Sequence, residues 1–151
     1  SDLALPCTHR SRLAPDAERF FLSREVAGGP NSQTHIERAE PLGAHALYHL
    51  RPVTGQRHQL RLHMMALGVP ILGDGFYPEV LRGPGEPDDA ENPLQLLARA
   101  LAFDDPVTGE QRRFSSSLTL RAAQAASPAP AAGADQFDDK VPRLVMGASG
   151  A

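Results

Sequence analysis

Tryptophan is absent from the 151 residues, aromatic residues make up 5% of them, and Cys7 is the only cysteine. A core for this chain must therefore come from Leu, Val, Ile, Ala, Met and a few Phe. A lone thiol excludes an intrachain disulfide and argues against a secreted disulfide scaffold. No apolar run approaches the roughly 18 residues of a membrane-spanning helix, so no membrane partner is expected. The opening SDLALPCTHR has neither a basic n-region nor an apolar h-region and does not read as a signal peptide. A cytoplasmic location is the default expectation. Excess positive charge is missing too: the net charge is −3, which predicts no bulk attraction to nucleic acid. The acid is unevenly placed, with Glu86, Asp88, Asp89, Glu91, Asp104 and Asp105 against the single Arg99 over 83–105. By length the chain is one ordinary domain, able to bury roughly two thirds of its unfolded surface.

Residues 1–19 carry Pro6 and Pro15 with no clean period and read as an extended lead-in. FFLSREV (20–26) reads as a strand ended by Gly28-Gly29-Pro30. SQTHIER (32–38) and AHALYHLRPV (44–53) read as two strands joined through AEPLG as a hairpin. The period then changes. Leu60, Met64 and Leu67 fall on one helical face, so the pattern predicts a helix from Arg57 to Leu67. It starts after Thr54 or Gly55 and ends at Gly68 in the left-handed conformation. Residues 69–78 are turn-rich, and GPGEPDDAENP (83–93) is a polar loop. LLARALAF (96–103) and QRRFSSSLTL (111–120) read as partner strands around a DDPVTGE turn. Beyond Ala122 the Ala/Pro/Gly-rich composition predicts a largely disordered tail over 122–151, with VPRLVMG (141–147) the one stretch suited to docking.

The stretch TGQRHQLRLHMMALGVPILGD (54–74) concentrates Arg57, His58, Arg61 and His63 within seven residues, and no acid lies between Arg51 and Leu72. On a helix, Arg57 and Arg61 stack at i and i+4 beside the apolar stripe, with Gln59 and His63 on the other flank. One reading is bland: long arginines at a rim cover core with their stems and keep their heads wet. The other is anion recognition, since a helix start offers free N–H groups and the arginines add forks that match phosphate or carboxylate. A metal site is not expected. His58 and His63 are five apart rather than four. His45 and His49, in a strand, stand about 13 Å apart. No Cys/His cluster suits zinc. Asp74, between two glycines, reads first as a turn former.

The same stretch resembles the signature of the RluA-type RNA pseudouridine synthases, close to T-G-R-T-H-Q-I-R-V-H-L-x-x-x-G-x-P-I-x-G-D-x-x-Y. Thr54, Gly55, His58, Gln59, Arg61, His63, Gly68, Pro70, Ile71, Gly73, Asp74 and Tyr77 occupy matching positions. LQLLARALAFDDPVTGEQRRF is similar to the closing hairpin of that family, and RLAPDAERFFLSREVAGGPNSQTHIER to its middle segment, so the likeness runs over roughly 10–120. The chain departs at Gln56, where the family has Arg, at Arg57, where it has Thr, and at Arg99, where a His is common. It contains no H-R-L-D-x-x-T-S-G motif, which carries the family's catalytic aspartate, and Tyr48 is not placed as the conserved tyrosine.

What the resemblance implies is an α+β fold with a mainly antiparallel sheet and a packed helix. Residues 1–121 would be the C-terminal portion of a catalytic domain. The implied chemistry is isomerisation of uridine to pseudouridine in ribosomal or transfer RNA, without metal or organic cofactor. A flipped base meets the aspartate, detaches, rotates and rejoins through carbon. Arg61 maps onto the arginine that pairs with that aspartate, and Arg57, His58, Gln59 and His63 become RNA contacts or supports for Arg61. The implied partners are RNA and the missing N-terminal half of the domain. Two rivals stand beside this reading: a non-catalytic RNA-binding or assembly module, and an unrelated phosphate-binding protein. A sheet that fails to unite 20–53 with 96–120 would favour the last.

Overall fold

A computed structural model describes residues 3–126 and 143–149. The fold is α+β, as the resemblance implies. β1 (Cys7–Pro15), β2 (Ser23–Val26), β3 (Ser32–Leu42) and β4 (His45–Pro52) precede the helix α1 (Gln59–Ala66). β5 (Leu96–Asp104), β6 (Gln111–Ser115), the short helix α2 (Arg121–Ala126) and β7 (Arg143–Ser149) follow it. The strands form one sheet in the order β2-β1-β3-β4-β7-β5-β6, and every described pairing is antiparallel. Segments 20–53 and 96–120 thus belong to one sheet, which removes the ground for the unrelated phosphate-binding reading.

The lead-in expected over 1–19 is in fact strand β1. Its alternation is legible once paired: Leu13 is buried while Thr8, Arg10 and Arg12 are exposed. The expected hairpin is present, with β3 running through Pro41 to Leu42 and the reversal at Gly43, whose φ is +63°. Two parts of the expected tail are described, and the second overlaps the stretch suited to docking. Residues 121–126 are helical, and 143–149 form β7, which pairs with β4 on one side and β5 on the other. Two sheet edges facing each other satisfy a β-prone run such as RLVMGAS, and composition alone does not register that opportunity. The rest of 122–151 lies outside the described residues.

α1 packs across one face of β1–β4. Leu60 and Met64 join Ile36, Tyr48, Leu50, Val69 and Ile71 in the main cluster, with Leu67 half-buried against it. Leu62 turns to a second cluster with Leu13, Leu22 and Tyr77. The helix is thus buried over more than its apolar stripe, because Gln59 and His63 also face the sheet. Its end is as expected. Gly68 has φ +75°, its N–H donates to the Met65 carbonyl at 2.9 Å, and the Val69 N–H reaches back to Met64 at 2.9 Å. This double return reverses the chain and carries 70–77 alongside the helix.

Candidate functional site

Arg61 is not left without an acid. Its Nε donates to Asp74 Oδ2 at 2.9 Å and its Nη2 to Asp74 Oδ1 at 2.5 Å, a two-point grip. The Asp74 side chain is 1% exposed and that of Arg61 12%. Sequence reasoning missed this pair because the two residues lie on different elements, and only the reversal at Gly68 brings them together. Asp74 is also the turn former that its glycine neighbours suggest: Oδ1 accepts the N–H groups of Phe76 at 2.9 Å and Tyr77 at 3.1 Å. The turn lays aromatic rings on the guanidinium, with Arg61 Cζ 4.8 Å from the Phe76 centroid and 5.2 Å from that of Tyr77. Among the described residues, Nη1 of Arg61 makes no hydrogen bond, so it is the free end of the fork.

The flanking residues divide by burial. Gln59 is 4% exposed and saturated. Its Nε2 donates to the Gln33 carbonyl and to Thr34 Oγ1, both at 3.0 Å. Its Oε1 accepts from Thr54 Oγ1 at 2.7 Å and from the Gln56 N–H at 3.0 Å. His63 is fully buried. Ser32 Oγ donates its only proton to the Ser11 carbonyl at 2.7 Å, so its 3.0 Å contact with His63 Nε2 requires the proton on that nitrogen. Nδ1 then accepts from Thr34 Oγ1 at 2.8 Å. Burial lowers the His63 pKa to about 4, with the neighbouring His9 ring acting in the same direction. Gln59 and His63 are thus both enclosed against the sheet.

His58 caps α1 in the left-handed region, φ 57°, without a side-chain cap bond. Tyr77 Oη donates to the Ser23 carbonyl at 2.9 Å, so at 3.0 Å it accepts from His58 Nδ1 and leaves Nε2 with its lone pair. Burial and the nearby Arg61 and Arg57 charges lower the His58 pKa to about 4. Arg57 is exposed, donating through Nη1 to the Phe20 carbonyl at 3.1 Å and through Nη2 to that of Phe21 at 2.9 Å. Arg57, His58 and Arg61 therefore gather at one end of the helix, while Gln59 and His63 fasten that end to the sheet.

Two other features are weaker as sites. His9, Glu25 and His63 place one potential metal ligand each within 4.8 Å of one another. His63 Nε2, however, carries a proton toward Ser32, and His9 Nε2 already meets Glu25 at 2.8 Å, so the donor set does not suit a cation. A groove of about 830 Å³ is lined by Ile71, Asp74, Tyr77, Leu81, Arg82 and Leu94 among others. Arg61 is not part of its wall, and its rim carries Asp88, Asp89 and Glu91.

The signature residues fall at this cluster, and comparison with known proteins agrees. The chain is 49% identical over 91 residues to the dual-specificity RNA pseudouridine synthase RluA of Pasteurella multocida, a match covering 60% of this chain and 34% of that protein. It is 48% identical over 87 residues to the corresponding Haemophilus influenzae protein, covering 58% and 32%. By sequence, the chain is RluA-like. A third relative, the ribosomal large subunit pseudouridine synthase D of Vibrio vulnificus, is 37% identical over 108 residues, covering 67% of this chain and 33% of its own length. The RluA-like chain thus spans about a third of the length of these curated relatives. No family model matches it, and no solved structure does. Among the described residues of the RluA-like chain, no helix is long and apolar enough to cross a membrane.

Proposed function

We propose that the chain is the arginine-bearing, C-terminal portion of the catalytic domain of an RNA pseudouridine synthase acting on ribosomal or transfer RNA in the cytoplasm. The observation that carries the reading is Arg61, fixed by Asp74 and two aromatic rings inside a segment nearly half identical to such enzymes. A guanidinium held in this way keeps its charge and its orientation, and Nη1 remains to meet a second carboxylate. That carboxylate would be the aspartate of an H-R-L-D segment contributed from outside these 151 residues. Arg61 would hold it ionised and aimed at the flipped uridine. Arg57 and His58, at the same helix end, would contact the RNA, and no cofactor is called for.

Asp74 is not a substitute nucleophile. Its carboxylate is nearly enclosed, and its oxygens already accept two arginine donors and two backbone N–H groups. The 151-residue chain alone should therefore release no tritium from RNA labelled at carbon 5 of uridine. Joined to a segment carrying the H-R-L-D motif, it should turn over. Arg61→Ala should then abolish release, and Arg61→Lys should lower it by about a hundredfold, since an ammonium cannot hold both Asp74 and a second carboxylate in one plane. Turnover by the unjoined chain, or full activity of the joined Arg61→Ala protein, would refute the reading. RNA binding without turnover in the joined protein would favour the alternative, a non-catalytic RNA-binding module; the full engagement of Asp74 is the observation on its side.

A further inference from the structure

The face of the sheet turned away from α1 is exposed and basic over β1 and β2, where Arg10, Arg12 and Arg24 stand in solvent. Arg10 and Arg12 lie two apart on β1 and are exposed. Arg24 on β2 pairs with Ala14 and is therefore on the same face, next in line one strand over. Thr8 pairs with His35 and His35 with Arg51, which extends the face across β3 and β4. Arg10 Nε donates to Gln33 Oε1 at 2.9 Å, and Arg12 Nη1 to the Gly29 carbonyl at 3.3 Å. These bonds orient the forks without neutralising them. Among the described residues, Arg10, Arg12 and Arg24 make no ion pair, whereas Arg51 is balanced by Glu37 at 3.2 Å. Asp16 lies at the margin, engaged by the N–H groups of Glu18 and Arg19 and attracted by the Arg24 charge. Glu25 belongs to the opposite face, against His9.

We propose that this outer face is a second RNA-contacting surface, in which Arg10, Arg12 and Arg24 bind successive phosphates of a single strand, independently of Arg61. The choice of RNA as the polyanion rests on the function proposed above; the phosphate chemistry rests on the face itself. In a chain of net charge −3, Arg10 and Arg12 without carboxylate partners, with Arg24 beside them facing only Asp16, are a local reversal of sign. Arg10 and Arg12, two apart on one strand, stand about 7 Å from each other, and Arg24 follows one strand over opposite Ala14, so the three offer a row of planar forks. β-Strand backbone fixes their spacing, which a flexible basic loop would not. Arg61 faces the helix side, so one RNA reaching both surfaces would have to wrap the β1–β2 edge.

The test uses the full chain and a short fluorescein-labelled single-stranded RNA, read by anisotropy over a salt series. The variant Arg10→Gln/Arg12→Gln/Arg24→Gln should bind about tenfold more weakly at low salt. Its log–log salt slope should be shallower by about 2, the share of three single-strand phosphate contacts. A control of equal charge change, Arg82→Gln/Arg112→Gln/Arg113→Gln, should keep the wild-type slope, and Arg61→Ala should keep it to within one contact. An unchanged slope in the outer-face variant overturns the proposal, as does an equal loss in the control, which would mean bulk charge. Absence of RNA binding by the wild-type chain, or preference of the same three arginines for anionic vesicles, overturns it too. If the joined enzyme is inactive yet the outer-face variant alone flattens the slope, the proposed function has failed and this surface stands.

Discussion

At the scale of single residues, the polar groups buried behind α1 are placed by complete hydrogen-bond matching. Gln59 uses both its donors and its acceptor oxygen twice, so its replacement leaves Thr54, Gln56, Gln33 and Thr34 each short of a partner. Gln59→Ala should cost about 2–4 kcal/mol in urea denaturation. The two depressed histidines make stability pH-dependent in a defined direction. In the unfolded chain they take up protons near pH 6.5, but folded His63 and His58 resist until about 4. Their contribution is therefore complete above about pH 6.5 and is lost as the pH falls toward about 4. Urea midpoints should drop across that window, and His63→Gln should show a smaller drop than the wild type. Asp74→Asn tests the other buried pair: an Arg61 left beside an amide should destabilise the chain by about 3 kcal/mol in the same assay.

At the scale of elements, two glycines mark turns of different kinds. Gly68 ends α1 with φ +75° and open space where a Cβ would stand. Gly68→Ala should therefore cost only the left-handed strain, about 1 kcal/mol. Gly73 has φ +70°, and a Cβ there would lie 2.2 Å from the Pro93 carbonyl oxygen, a backbone atom that cannot swing away. Gly73→Ala should lower Tm far more than Gly68→Ala, and it should also disturb Asp74 and its grip on Arg61. The helix itself was legible in the Leu60/Met64/Leu67 spacing and in Gly68. That Gln59 and His63 face inward was not, because helical periodicity registers apolar residues and these two are polar residues satisfied by β1 and β3.

At the scale of the whole molecule, the sheet has a weak point. The β5–β6 hairpin reaches the β1–β4 half through β7, whose ladder touches both. A chain ending at Ala126 should keep slow hydrogen exchange in β1, β3, β4 and α1, where the two apolar clusters lie, and lose protection in β5. Equal protection of β5 in the shortened and full chains would contradict a bridging role for β7. The core side needs no such bridge, and Met64→Ala, at a fully buried position, should cost about 2–5 kcal/mol in either chain.

The sequence by itself determined the β3–β4 and β5–β6 hairpins, α1 with its glycine stop and the ordered signature from Thr54 to Tyr77, whose family resemblance implied the α+β class. Each of these rests on local periodicity, turn chemistry or the order of residue types along one segment. Only the tertiary structure decided that Arg61 and Asp74 meet, that β1 is a strand and that 143–149 lies between β4 and β5. It also separated the exposed Arg57 and half-buried His58 from the enclosed Gln59 and His63. The physical reason is common to all four. A salt bridge, a strand pairing and a buried hydrogen bond each depend on partners distant along the chain, and spacing within one element carries no record of what the fold brings against it.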